Sequence, residues 1–125
     1  MAMIAKKRVL LVDDDPELVD IVRTALTAHG YEVLVAWDGA EALARVERDH
    51  PDLMLLDLVM PRRSGLTVLD RMHRTAMRST PIIMMTGTDE QRHREAARMR
   101  GVSVFLSKPF AIEQLLVEVE TILNA

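Results

Sequence analysis

Four short polar groups, each closing an apolar run, are the part of this sequence able to do chemistry. Val9–Val12 runs into Asp13-Asp14-Asp15, Leu53–Leu56 into Asp57, Ile82–Met85 into Thr86-Gly87-Thr88, and Val104–Leu106 into Ser107-Lys108-Pro109. Carboxylates gathered within a few ångströms repel, so without a counter-charge one of them takes up a proton at neutral pH. A bound cation resolves the conflict. A water-accessible set of a few oxygen ligands suits Mg²⁺, which usually takes one or two carboxylates together with phosphate oxygens. Mg²⁺ beside a lysine points to phosphate chemistry: Lys108 would neutralise a phosphoryl group, Thr86 would donate to one of its oxygens, and a positioned carboxylate would be the nucleophile that receives it. Asp57 is best placed for that last role, because it closes the central run, between the acids on one side and the hydroxyl and amine on the other.

Taken singly, each of these residues has a plainer reading. Asp15 followed by Pro16 is a helix N-cap with a first-turn proline. Asp13 or Asp14 alone reads equally well as a solvated loop acid. A lone Asp57 is a turn or cap residue, Thr86 a strand-end hydroxyl, and Lys108 a charge that protects an edge strand. Phe105 reads as an edge-strand aromatic half packed on the core. Four such coincidences at four strand ends explain the pattern less well than one shared site.

The elements that must position these groups alternate along the chain. Five strand-length runs, Val9–Val12, Val33–Ala36, Leu53–Leu56, Ile82–Met85 and Val104–Leu106, are nearly continuous in apolar residues, as strands covered on both faces are. Helical stripes stand between and after them: Leu18, Ile21, Val22, Ala25 and Leu26 in one, and Ile112, Leu115, Leu116, Val119, Ile122 and Leu123 in another. Gly30 is a C′ residue for the first. Further helices are expected over about 39–48 and 64–74. A fourth, over about 89–100, has only Ala96, Ala97 and Met99 to bury among five basic side chains, so it should shift or open early. The chain shows no repeat, linker or low-complexity tract. It reads as one α/β domain over residues 1–125, a five-stranded parallel sheet with helices on both faces. With strand order 2-1-3-4-5 the first and third strands are neighbours, Asp13 and Asp14 lie beside Asp57, and ligands bind at the carboxyl edge where the order reverses.

Composition narrows the alternatives. At 125 residues the chain buries enough for one core and leaves no room for a separate output domain. Sixteen Lys+Arg against nineteen Asp+Glu argue against direct nucleic-acid binding. No apolar run has transmembrane or signal-peptide character, so no membrane association is expected. The absence of cysteine fits a cytoplasmic setting and removes thiol chemistry. Without Asp13, Asp14 and Asp57 the acids and bases balance at sixteen each. The net charge of −3 thus equals the proposed acidic site.

These residues make the sequence closely resemble the receiver domain of two-component response regulators, of the chemotaxis-protein type. The likeness covers the whole chain. It is carried by Val-Asp-Asp-Asp-Pro at 12–16, by Asp57-Leu58-Val59-Met60-Pro61 with Gly65, by Met-Thr-Gly at 85–87 and by Ser-Lys-Pro-Phe at 107–110. The resemblance implies a flavodoxin-like doubly wound fold, Asp57 as phosphoacceptor, Asp13 and Asp14 as Mg²⁺ ligands with Asp57 and the main-chain carbonyl of Val59, and catalytic assistance from Thr86 and Lys108. It also implies a cis bond before Pro109 and a switch in which Thr86 moves towards the phosphoryl group while Phe105 turns inwards. Phenylalanine there lacks the hydroxyl of the family's frequent tyrosine. The implied donor is a sensor histidine kinase or a His-phosphotransfer protein, the output is protein contact with a target the sequence does not name, and the chain is not a turnover enzyme.

Two other classes fit less well. A phosphatase of the haloacid dehalogenase kind wants a second acid two residues after its nucleophile and a threonine two beyond; after Asp13 those places hold Asp15 and Glu17. A flavodoxin-like electron carrier wants a hydroxyl- and glycine-rich phosphate loop where Asp13–Asp15 stand. A stand-alone receiver and a module of a longer protein are both compatible with the sequence.

Overall fold

In the computed structural model, which describes residues 5–60, 64–74, 79–87 and 91–124, strands and helices alternate from one end to the other. The strands are β1 (Arg8–Val12), β2 (Glu32–Ala36), β3 (Leu53–Asp57), β4 (Ile82–Thr86) and β5 (Val104–Ser107). The helices are α1 (Pro16–Ala28), α2 (Gly39–Asp49), α3 (Gly65–Met72), α4 (Gln91–Met99) and α5 (Ile112–Leu123). All strand pairs are parallel and the order is β2-β1-β3-β4-β5. The expected sheet is therefore the observed one. Pro61, Arg62 and Arg63 of the motif that begins at Asp57, Thr88, and Asp89 at the start of the expected fourth helix lie outside the described residues.

Alternation along the strands divides the core in two. Leu10, Val12, Met54, Leu56 and Met84 face α2, α3 and α4, where Ala42, Val46, Val68, Leu69, Met72 and Ala97 complete the packing. Val9, Leu11, Leu53, Leu55, Ile83 and Met85 face α1 and α5, packing on Val19, Val22, Leu26, Leu115 and Val119. β3 is buried at every position, as the centre of a sheet covered on both sides must be. Local signals set the helix starts. Asp15 accepts from the Glu17 and Leu18 amides ahead of Pro16, and Asp38 accepts from the Glu41 amide at 2.9 Å. Gly30 takes φ +92° beyond α1, a left-handed turn that glycine adopts without steric cost. α3 ends at Met72, two residues before the sequence expectation, with His73 as its C-cap.

α4 is the least anchored helix. Of its apolar side chains only Ala97 is fully buried, and Met99, expected to contribute to the packing, is 87% exposed. Its stability must lean on polar contacts instead.

Candidate functional site

Register brings the strand ends together. Val12 of β1 is level with Leu56 of β3, so Asp13 and Asp57, one residue on, stand side by side. Asp57 is level with Met85 of β4, Thr86 follows it, and Thr86 is level with Ser107 of β5, one residue before Lys108. The hydrogen-bond ladder continues past the strands, from the Asp13 amide to Ala36 O (3.2 Å), the Leu58 amide to Met85 O (2.8 Å) and the Lys108 amide to Thr86 O (2.7 Å). The backbone carrying the polar groups is thereby as fixed as the sheet itself.

Asp13 and Thr86 are buried, Asp57 is 5% exposed, and Asp14 faces solvent. Carboxylate oxygens of Asp13, Asp14 and Asp57 lie within 4.8 Å of one another. Lys108 Nζ donates to Asp13 Oδ2 at 2.7 Å and lies 3.4 Å from Asp57 Oδ2. Asp57 Oδ1 accepts from the Val59 amide at 3.2 Å, and Asp13 Oδ1 from the Asp15 amide at 3.0 Å. Asp15 itself serves as the α1 cap. The Lys108-Pro109 bond is cis, and Phe105 is half-buried against the core beneath α4.

One lysine faces two nearly buried carboxylates, and the ionisation of Asp57 shows the deficit. Burial first, and then the Asp13 charge, push the Asp57 carboxyl from 3.8 up to about 6, with Lys108 and the Val59 N–H pulling the other way. Burial also opposes the charge on Lys108, but its hydrogen bond to Asp13 and the charges of Asp57 and Asp13 outweigh that, so its pKa is raised. The cluster has a place for another positive charge. Its donors are all oxygens and one of the acids is open to water, the donor set of a hard divalent cation.

A glycine fixes how closely the acid-bearing turn can pack. A Cβ on Gly65 would lie 2.6 Å from the main-chain oxygen of Asp57 and 3.1 Å from Leu58 Cα, where backbone cannot give way; the Gly65 amide donates to Leu58 O at 2.8 Å. The sequence pattern includes this glycine, but only the structure gives its physical reason. Beside Lys108 an apolar groove of about 560 Å³ opens between α1 and the start of α5, lined by Leu18, Ile21, Pro109, Phe110 and Ile112 with Asp15. Sequence reasoning passed over two further residues, Arg94 and Arg98 of α4, whose guanidinium carbons lie 5.7 and 5.5 Å from the centroid of the Phe105 ring. The only signal for them in the sequence is their four-residue spacing.

The family model of the response regulator receiver domain matches residues 9–120. Response regulator MprA of Mycobacterium leprae (strain TN) is 40% identical over 117 residues, which are 94% of this chain and 51% of that protein. MprA of Mycobacterium tuberculosis (strain CDC 1551 / Oshkosh) is 39% identical over 117 residues, 94% of this chain and 50% of its own. The chain thus spans about half the length of these relatives. Among solved structures, the chemotaxis protein CheY4 of Vibrio cholerae superposes with a TM-score of 0.89 at 32% identity, over 95% of this chain and 100% of its own. A CheY-like receiver domain protein from Methanospirillum hungatei JF-1 gives 0.90 at 29% identity, over 96% and 95%.

Proposed function

Because the chain belongs to the response regulator receiver domain family, whose function is to accept a phosphoryl group in two-component signalling, we propose that Asp57 is its phosphoacceptor. The observation that carries this reading is the cluster itself: a nearly buried carboxylate at the end of the central strand, with a second acid and a lysine at its side. An Asp57 oxygen attacks the phosphorus of a phosphohistidine. The P–N bond breaks, and the departing imidazole keeps the electron pair and takes a proton from solvent. Asp57 is used as the carboxylate, the form that dominates above about pH 6. Lys108 then lies within reach of both the acceptor and the transferred oxygens, and Thr86 offers a hydroxyl from the adjacent strand end.

Asp13, Asp14, Asp57 and the Val59 carbonyl are the residues that would hold Mg²⁺, and the charge deficit and all-oxygen donor set fit that ion. When bound, it supplies charge neutralisation for the phosphoryl oxygens. The phosphoryl donor in this reading is a sensor histidine kinase or a His-phosphotransfer protein, meeting the apolar groove that shares Lys108 with the site. Residues 1–125 act as one receiver unit that signals by protein contact, through Thr86 and Phe105 to α4, without turning over a substrate. The reading carries a cytoplasmic location; among the described residues no helix is long and apolar enough to cross a membrane.

Intact mass after incubation with acetyl phosphate and Mg²⁺ tests the assignment. One phosphoryl group on the wild type and none on Asp57→Asn is the expected result. A phosphoryl group that survives the substitution would show that another residue is the acceptor.

A further inference from the structure

The aromatic at the centre of the proposed switch has a specific hold from α4. Arg94 and Arg98 are one turn apart on the same face of the helix, and both guanidinium groups lie within the range of about 6 Å over which a cation is attracted to an aromatic ring: 5.7 and 5.5 Å from the Phe105 centroid. Arg94 Nη2 also donates to Ser107 Oγ at 2.6 Å. Ser107 is the register partner of Thr86 and precedes Lys108. The same arginine therefore touches the ring and the strand end that flanks the site. A phenylalanine offers no hydroxyl for a hydrogen bond, so its π-face is what these cations can hold. Guanidinium groups suit that role because they are planar and weakly hydrated.

We propose that Arg94 and Arg98 form a cationic clasp on Phe105 that restrains the ring in its half-buried position and opposes the response of α4 to a phosphoryl group at Asp57. This inference rests on the phosphoacceptor reading above. Deeper burial of the ring towards Thr86 has to withdraw its face from both guanidinium groups. The clasp therefore favours the conformation seen here over the inward one. By linkage, whatever favours the inward conformation binds more weakly while the clasp is intact. α4 buries little, and these contacts tie it to β5.

The test is the affinity for beryllium fluoride, with Mg²⁺ present, of the wild type and of Arg94→Gln/Arg98→Gln, followed by amide NMR, with acetyl phosphate labelling in parallel. The double variant is expected to keep single phosphorylation at Asp57 and to bind the mimic about threefold or more tightly, with the lysine pair intermediate. Phe105→Leu guards against a simple folding defect: in that background the arginine substitutions should have a much smaller effect, the part left being the Arg94 bond to Ser107. Equal or weaker affinity in the double variant, or an undiminished effect of the arginines without the ring, would overturn the clasp while leaving Asp57 as acceptor. A wild type that takes neither phosphoryl group nor mimic would overturn both readings.

Discussion

At the scale of single residues, Asp57 and Lys108 are held in opposite ways. Asp57 is forced to be a charge where charge is unwelcome, and Asp57→Asn removes the conflict. We expect the variant to be more stable than the metal-free wild type at pH 7. The rise from 3.8 to about 6 limits the gain to about 3 kcal/mol, at about 1.4 kcal/mol per tenfold change in proton affinity. The sign with pH follows from the elevated value. The folded wild type binds its proton more tightly than the unfolded chain, so its stability is highest below about pH 4 in this respect and falls as pH rises to about 6. The advantage of Asp57→Asn should therefore grow over that interval and level off above it; urea titrations at pH 4.5 and 7.5 measure it. Lys108→Ala acts the other way, leaving Asp13 buried beside Asp57 with no cation, and should cost about 3 kcal/mol in metal-free buffer at pH 7. Residue types and strand-end positions made these partners legible in the sequence. What was not legible is that Asp13 is sealed from solvent while Asp14 is open, since that depends on how tightly β1 and β3 close around them.

Elements show where sequence patterns stop being sufficient. The runs ending at Val12, Ala36, Leu56, Met85 and Leu106 located all five strands, because strands buried on two faces carry unbroken apolar stretches. Asp15-Pro16 likewise located the start of α1. α4 was legible as weak, but the placement of Met99 was not: a stripe gives spacing, whereas exposure is decided by the neighbour the helix meets. Amide hydrogen exchange should find residues 91–99 the least protected of the five helices, and their protection should change when a phosphoryl mimic binds. At the turn into α3, Gly65→Ala must displace the Asp57 and Leu58 backbone. We expect a loss of about 1–3 kcal/mol in denaturant unfolding and slower labelling by acetyl phosphate, because Asp57, the proposed acceptor, is moved.

For the whole molecule, three of its nineteen acids, Asp13, Asp14 and Asp57, meet at one edge of the sheet with Lys108 among them. Mg²⁺ should accordingly stabilise the folded chain, by about 1.4 kcal/mol at ten times its dissociation constant. Thermal unfolding with and without the ion reads this out, and Asp13→Asn should lose most of the gain. The two halves of the core differ in a way that reaches beyond packing. The side under α2, α3 and α4 includes Met54, Met60, Met72 and Met84 beside its valines, leucines and alanines, whereas the described buried residues of the side under α1 and α5 are branched aliphatic apart from Met85. Unbranched thioethers repack at little cost, while branched side chains have few alternatives. The face under α2, α3 and α4 is thus the more compliant mounting of the sheet, and a displacement begun at the strand ends is expected to be taken up there, on the side of α4.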